Sequence, residues 1–189
     1  MENSKLIILD RDGVINHNSD DHIKSPEQWV AIPGSLEAIS RLCREDYRVV
    51  VITNQSGISR GLFTINTLNK IHQKMLDELH HSGGEISAIF FCPHSADDQC
   101  ECRKPKPGMF LEVSKRLKYS LKDVYAVGDS VRDLQAAATA GAMPVLVETG
   151  NGLSSIEEIS KHDYEPAIAT VPKFKDLSRF VDNLLSAQC

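Results

Sequence analysis

LIILDRDGVIN, residues 6–16, runs four apolar residues straight into two aspartates separated by a single residue. The apolar run has the length and β-branched content of a buried strand. Two carboxylates at its end repel each other and are costly to desolvate, so stability alone does not account for them. They need a cation or a proton between them, which makes the end of this strand the candidate functional site.

Four more runs of the same kind follow: RVVVIT (48–53), AIFFC (88–92), VYAVGD (124–129) and PVLVE (144–148), with a weaker one, AIATV, at 167–171. Their hydrophobicity is nearly continuous, as in parallel strands covered on both faces. Helical patterns alternate with them. GSLEAISRLCRE places Leu36, Ile39, Leu42 and Cys43 on one face. TINTLNKIHQKMLDELHHSGG opens at an N-cap Thr64, carries Leu68, Ile71, Met75 and Leu79 as a stripe, and stops at Gly83–Gly84. PGMFLEVSKRL, SVRDLQAAATAG and KFKDLSRFVDNLLSA complete the set. Strand–helix alternation predicts an α/β doubly wound parallel sheet, with residues 1–189 as one domain. Asp10, Thr53 with Asn54, and Asp129 then fall at the carboxyl ends of strands, where open parallel sheets place their ligand crevice.

Bulk properties agree with a small-molecule site. The chain has 189 residues, 41% hydrophobic and 25% charged, with a formal net charge of −5. That charge argues against nucleic acid or an anionic membrane as the main partner. No apolar run approaches a membrane span, and MENSKLIILD lacks the core and cleavage site of a signal peptide. The expected location is the cytoplasm, where thiols stay reduced, and the expected state is a monomer.

Asp129 brings a third carboxylate to the edge that carries Asp10 and Asp12, and Asp133 a fourth one helical turn later. Such a group suits Mg²⁺, which takes one or two carboxylates, waters and substrate phosphate oxygens. A Ca²⁺ loop starting at Asp10 fails, because its sixth and twelfth positions are Ile15 and Asp21 instead of Gly and Glu. Separately, CPHSADDQCECRKP (92–105) spaces Cys92, His94, Cys100 and Cys102 as C-x-H-x5-C-x-C. Three thiols and an imidazole in one short loop predict a closed tetrahedral Zn²⁺ site with a structural role. Cys102 precedes Arg103 and Lys104, so this loop would hold two cations over the carboxylates. Cys43 reads as core and Cys189 as a frayed terminus.

The ordered set DRDGV (10–14), ITNQSG (52–57), CRKPKPGM (102–109) and VGDSVRD (127–133) resembles the four motifs of the haloacid dehalogenase-like phosphatases. The resemblance implies a Rossmann-like fold and Mg²⁺-dependent phosphoryl transfer. In it Asp10 is the nucleophile, Asp12 the acid/base and the donor of a main-chain carbonyl to Mg²⁺, and Asp129 a further Mg²⁺ ligand. Thr53 binds phosphoryl oxygens and Lys104 neutralises charge. The cysteine loop, TNQSGISRGLFT (53–64) and PVLVETGNG (144–152) resemble the branch that acts on heptose bisphosphate or on histidinol phosphate. The heptose arm of that branch implies a place in heptose supply for lipopolysaccharide. Ser130 stands where some members carry a lysine.

About forty residues separate Asp10 from Thr53, too few for a large cap domain of on the order of 50–100 residues. Loops should then supply specificity. The candidates are Ser19, Asp20, Asp21 and His22 in NHNSDDHIKSPEQW (16–29), Asn54, Gln55 and Ser56 after the second strand, and Arg103 and Ser130. Arg60 in SGISRG is placed to take the second phosphate of a bisphosphate. His72, His80 and His81 fall on a predicted helix away from the motifs, on a solvated face or at the core rim.

Overall fold

A computed structural model describes residues 5–187. Six parallel strands form one sheet: β1 (Lys5–Leu9), β2 (Tyr47–Asn54), β3 (Ala88–Cys92), β4 (Tyr125–Gly128), β5 (Met143–Val147) and the short β6 (Lys173–Phe174). Their order is β3-β2-β1-β4-β5-β6. The chain therefore winds outward from β1 to one edge, returns, and winds outward to the other. The reversal lies between β1 and β4, where Ile7, Ile8 and Leu9 pair with Tyr125, Ala126 and Val127. The first carboxylates leave the sheet at this switch point, the place where open α/β sheets bind ligands.

Side-chain alternation along β1 feeds two cores. Ile7 and Leu9 join Val49, Val51, Val127 and Val145 under α1 (Ser35–Arg44), α2 (Ile65–His81) and α7 (Leu177–Ser186). Leu6 and Ile8 join Val50 and Ile52 on the opposite face, under α3 (Gly108–Leu117) and α4 (Val131–Thr139). A third cluster, built on Leu134, Leu146, Ile159, Ile168 and Val171, covers the β5 edge with α5 (Gly152–Lys161) and α6 (Pro166–Ala169). The stripe Leu68, Ile71, Met75 and Leu79 of α2 is fully buried, and Thr64 caps that helix by accepting from the Thr67 amide at 3.1 Å.

Two sequence expectations fail at the C-terminal end. AIATV (167–171) is not a strand: Pro166 sits at the first position of a short helix there, where its fixed φ and missing N–H fit. The sixth strand is Lys173–Phe174, inside the stretch expected to open the last helix, which starts after the Asp176 cap. Helix α5 follows the strand-end glycines and was not anticipated. Cys43 is half-buried and packs against the core, as expected, and Cys189 lies outside the described residues. Between β1 and β2 the chain forms only a short 3-10 helix (Pro26–Gln28) and α1, so among the described residues no large cap covers the sheet edge. Among the described residues, no helix is long and apolar enough to cross a membrane.

Candidate active site

The loop after β1 turns sharply at Gly13, whose φ of +83° is one that L side chains rarely adopt. A Cβ at Gly13 would stand 2.0 Å from Asp129 Oδ2, so glycine is also what lets the β1 and β4 loops touch. Thr149 locks a third loop onto them by donating to the Gly13 carbonyl at 2.6 Å. Trp29 is fully buried and anchors the longer loop that follows, and Lys74 of α2 donates to its carbonyl at 2.8 Å.

The result is a polar cleft of about 330 Å³ at the carboxyl ends of β1, β2 and β4. Asp10, Asp12, Thr53, Lys104 and Asp129 all line it, as do Ser19, Asp20, His22, Asn54, Gln55, Ser56, Arg60, Arg103 and Ser130. Asp21 does not: it is exposed beside the cleft, and its amide donates to Ser19 Oγ at 3.3 Å. Asp133 lines it as the fourth carboxylate expected there, and Asn18, Ile23, Arg132 and Asn151 line it without having been anticipated.

Lys104 is the electrostatic centre. Its side chain is 3% exposed, and Nζ lies 3.0 Å from Asp10 Oδ1 and 2.5 Å from Asp133 Oδ1 and donates to the Ile52 carbonyl at 3.1 Å. Burial opposes its charge, but the two carboxylates hold it protonated well above the ordinary lysine value. Asn54 fixes the backbone of this residue by a reciprocal pair, Nδ2 to the Lys104 carbonyl and the Lys104 amide to Oδ1, both at 3.1 Å. Asn54 therefore braces the cation, a task its place at a strand end did not reveal.

Asp133 answers to Lys104 on one oxygen and to Ser130 on the other: the Ser130 amide donates at 3.0 Å and its hydroxyl at 2.5 Å. This capping box opens α4. It also commits the Ser130 hydroxyl to Asp133, which departs from the expectation of a hydroxyl offered to substrate. Burial opposes ionisation of Asp133, yet Lys104 keeps its carboxyl below the usual range.

Asp10, Asp129 and Asp133 bring carboxylate oxygens within 4.8 Å of one another. Lys104 engages one oxygen of Asp133 and Ser130 the other, which leaves Asp10 and Asp129 as the pair better placed to share a cation. Burial pushes Asp10 well above its ordinary value despite Lys104, with Asp133 and Asp129 adding to the shift. Burial and Asp133 raise Asp129 to about 7, although Asn151 donates to its Oδ2 from the main chain at 2.7 Å and from Nδ2 at 3.0 Å. Two buried carboxylates that resist ionisation, with oxygen donors only, fit a hard divalent cation such as Mg²⁺.

Asp12 differs from its neighbour. Its oxygens accept from Arg11 Nε at 3.1 Å and from Arg11 Nη2 at 2.9 Å on both, from Asn16 Nδ2 at 2.9 Å and from Gln55 Nε2 at 2.9 Å. Burial works against its charge, but Arg11 and the amide donors keep it below the ordinary value. The same Gln55 amide donates to Thr53 Oγ1 at 2.8 Å, linking the ends of β1 and β2. Two carboxyls two residues apart thus have opposite proton affinities: Asp10 keeps its proton unless a cation takes its place, and Asp12 keeps its charge.

This geometry has counterparts among known proteins. Residues 101–177 match the HAD-hydrolase-like family model. The D-glycero-beta-D-manno-heptose-1,7-bisphosphate 7-phosphatase of Bordetella bronchiseptica is 57% identical over 154 residues, 82% of this chain and 86% of that one. The enzyme of the same name from Pseudomonas putida is 49% identical over 82% of this chain and 88% of its own. The crystal structure of D,D-heptose 1,7-bisphosphate phosphatase from B. bronchiseptica, complexed with magnesium and phosphate, superposes with a TM-score of 0.91 at 50% identity, covering 97% of this chain and 99% of that one.

The chain belongs to this family of haloacid dehalogenase-like phosphatases.

The phosphatase carries its second donor cluster where β3 ends. Cys92 Sγ lies 3.6 Å from Cys100 Sγ and 3.2 Å from Cys102 Sγ, Cys100 and Cys102 are 3.5 Å apart, and His94 Nδ1 is 3.6 Å from Cys92 and 3.3 Å from Cys102. None is near disulfide length. A zinc with bonds of about 2.3 Å to sulfur gives tetrahedral edges of about 3.7 Å, so the spacing fits a closed structural site. The cluster grips the cation loop directly, because Arg103 Nη1 donates to the His94 carbonyl at 3.2 Å.

Sequence reasoning passed over Arg11 and misplaced His72. Arg11 is fully buried between the two aspartates, and His72 is 7% exposed with Nε2 at 3.2 Å from Arg11 Nη1. His72 therefore lies beside the first motif, not away from it, since the buried face of α2 packs against the β1 loop. His80 and His81 are exposed, as expected.

Proposed function

We propose that this phosphatase removes the 7-phosphate of D-glycero-D-manno-heptose 1,7-bisphosphate and leaves heptose 1-phosphate. The observation that carries the substrate is the 57% identity to the Bordetella enzyme of that name, extending over most of both chains. The cleft supports it independently. It is polar and open, and Lys104, Arg103, Arg60 and Arg132 spread positive charge from its floor to its rim, enough for an anion at each end of one sugar.

The chemistry follows from the placement of these groups, with a bound cation favouring the ionised Asp10 that attack requires. An Asp10 oxygen attacks phosphorus in line with the leaving sugar oxygen, forming an aspartyl-phosphate and breaking the P–O bond. Lys104 and the Thr53 hydroxyl stabilise the charge that spreads over the phosphoryl oxygens. Asp12 gives a proton to the departing sugar oxygen and later takes one from the water that splits the aspartyl-phosphate. In the free site Asp12 is held ionised, ready as a base. The incoming phosphate dianion raises its proton affinity and so equips it as an acid. Asp133 and Asn54 hold Lys104 in place and leave it one free direction, toward Asp10.

Asp10, Asp129 and the main-chain carbonyl of Asp12 are the residues to hold Mg²⁺, which when bound screens nucleophile from phosphate and polarises the phosphoryl group. Cys92, His94, Cys100 and Cys102 are the residues to hold Zn²⁺, which when bound orders the loop carrying Arg103 and Lys104. The small-molecule reading extends to a monomer working in the cytoplasm.

Steady-state assays on both anomers of the heptose 1,7-bisphosphate, beside histidinol phosphate, test the substrate, with ³¹P NMR identifying the phosphate that leaves. The expected result is kcat/KM for a heptose bisphosphate far above that for histidinol phosphate, with the 1-phosphate retained. Preferential turnover of histidinol phosphate, or loss of the anomeric phosphate, would overturn it.

A further inference from the structure

Arg11 stands inside the protein with no exposure at all, a costly place for a permanent cation unless every donor is used. Nε and Nη2 are spent on Asp12. The remaining edge, Nη1, faces His72 Nε2 at 3.2 Å. A guanidinium has no acceptor atom, so the lone pair must belong to His72, which is then neutral with its proton on Nδ1. Burial, reinforced by the Arg11 charge and opposed only by Asp12, lowers His72 to about 4, in agreement with a permanently neutral ring. From β3, the ring of Phe91 meets His72 edge-on, with ring centroids 6.3 Å apart.

We infer that His72 is a positioning residue for proton transfer: from the buried face of α2 it fixes the Arg11 fork that aims Asp12. The inference rests on the reading of Asp12 as acid/base. Ile71 and Met75 on either side of His72 are fully buried, so the core sets where its ring sits. A guanidinium held only along its Nε–Nη2 edge can rock about that edge and carry the carboxylate with it. An acceptor on Nη1 removes this freedom. The hydrogen bond thus connects the buried face of α2 to the one carboxylate that must meet a leaving oxygen at close range.

Leaving-group dependence separates this role from a merely structural one. A sugar alkoxide needs a proton to depart, whereas 4-nitrophenolate does not. His72→Leu, which keeps the volume and removes the acceptor, should lower kcat/KM for heptose 1,7-bisphosphate about tenfold, mostly in kcat, but that for 4-nitrophenyl phosphate by less than about twofold. His72→Gln, whose amide oxygen reaches to where Nε2 sits, should restore most of the loss. His72→Asn, too short to reach, should behave as Leu does and gives the same contrast if the Leu variant does not fold. Asp12→Asn is the control and should show the same selectivity, enlarged. If Asp12→Asn lowers kcat/KM equally for both substrates, the reading of Asp12 as acid fails, because kcat/KM does not include the shared hydrolysis of the aspartyl-phosphate. If Asp12→Asn discriminates and the Leu and Asn variants at 72 do not, or if Gln is as impaired as Leu, the assignment of His72 is wrong.

Discussion

Lys104 shows how one side chain sets the state of its neighbours. Its ammonium is shared by Asp10 and Asp133, so replacing it leaves two buried carboxylates facing each other. Lys104→Met should cost roughly 3–5 kcal/mol in the metal-free protein at neutral pH. Asp133 is held below its usual value by Lys104, so the stability it contributes is present at neutral pH and fades as pH falls through the carboxylate range. Urea unfolding should accordingly show a larger deficit for the variant at pH 8 than at pH 4. An equal deficit at both would mean that lost packing, not charge, is the cause. Asp129 has the opposite sign. Its folded value of about 7 means that a proton competes with a cation for this carboxylate below neutrality. Mg²⁺ titrations of chelator-treated protein should therefore give a tighter apparent Kd at pH 8 than at pH 6, and a pH-independent Kd would remove Asp129 from the metal site. The carboxylates themselves were legible because paired negative charge at the end of a buried strand is unfavourable without a cation or proton to offset it. Arg11 and His72 were not, because an arginine between aspartates reads as surface charge, and a histidine on a helix gives no sign of what its far side touches.

At the scale of elements, the cation loop depends on the cysteine cluster. Cys102 is covalently one residue from Arg103 and two from Lys104, so a thiolate lost from the cluster loosens the floor of the site without touching a reacting atom. Cys102→Ser should lower kcat/KM on the order of a hundredfold and open residues 94–104 to proteolysis while circular dichroism stays native. Metal analysis of the parent should find about one zinc per chain. Full activity in a zinc-free variant would show that packing alone orders the loop. Thr64 offers the contrasting case. Its hydroxyl caps α2 at the exposed end, outside the cleft, so Thr64→Ala should cost about 1 kcal/mol in urea unfolding with kcat unchanged. A fall in kcat would mean that α2 moves as a unit, carrying His72 with it. The elements were readable in proportion to their burial. β1, β2 and α2 have long apolar patterns and lie within a residue or two of where the sequence puts them. The stretch 166–174 is short and covers only a sheet edge, so one proline outweighed its β-branched residues, and α5 begins in a glycine-rich turn that masks its first helical residues.

The whole molecule brings these residues together. Only a sheet that reverses its winding between β1 and β4 leaves a gap where the loops carrying Asp10 and Asp129 face each other, with β2 delivering Thr53 and Gln55 from the side. Local patterns cannot specify strand order, yet polar residues at three strand ends already located the working edge. With no large cap over it, that edge stays open, so the loop pinned by Trp29 and the arginines of the rim face the substrate directly. At the centre of the proposed mechanism, this edge moves a phosphoryl group through Asp10. Rapid acid quench of a single turnover with heptose 1,7-bisphosphate, followed by proteolysis and mass spectrometry, tests it most directly. The expected result is a phosphoryl adduct on Asp10 that rises before product and is absent from Asp10→Asn, which stays folded and turns over at less than about a thousandth of the parent rate. Product formed in the first turnover with no adduct, or an adduct on any other residue, would contradict it.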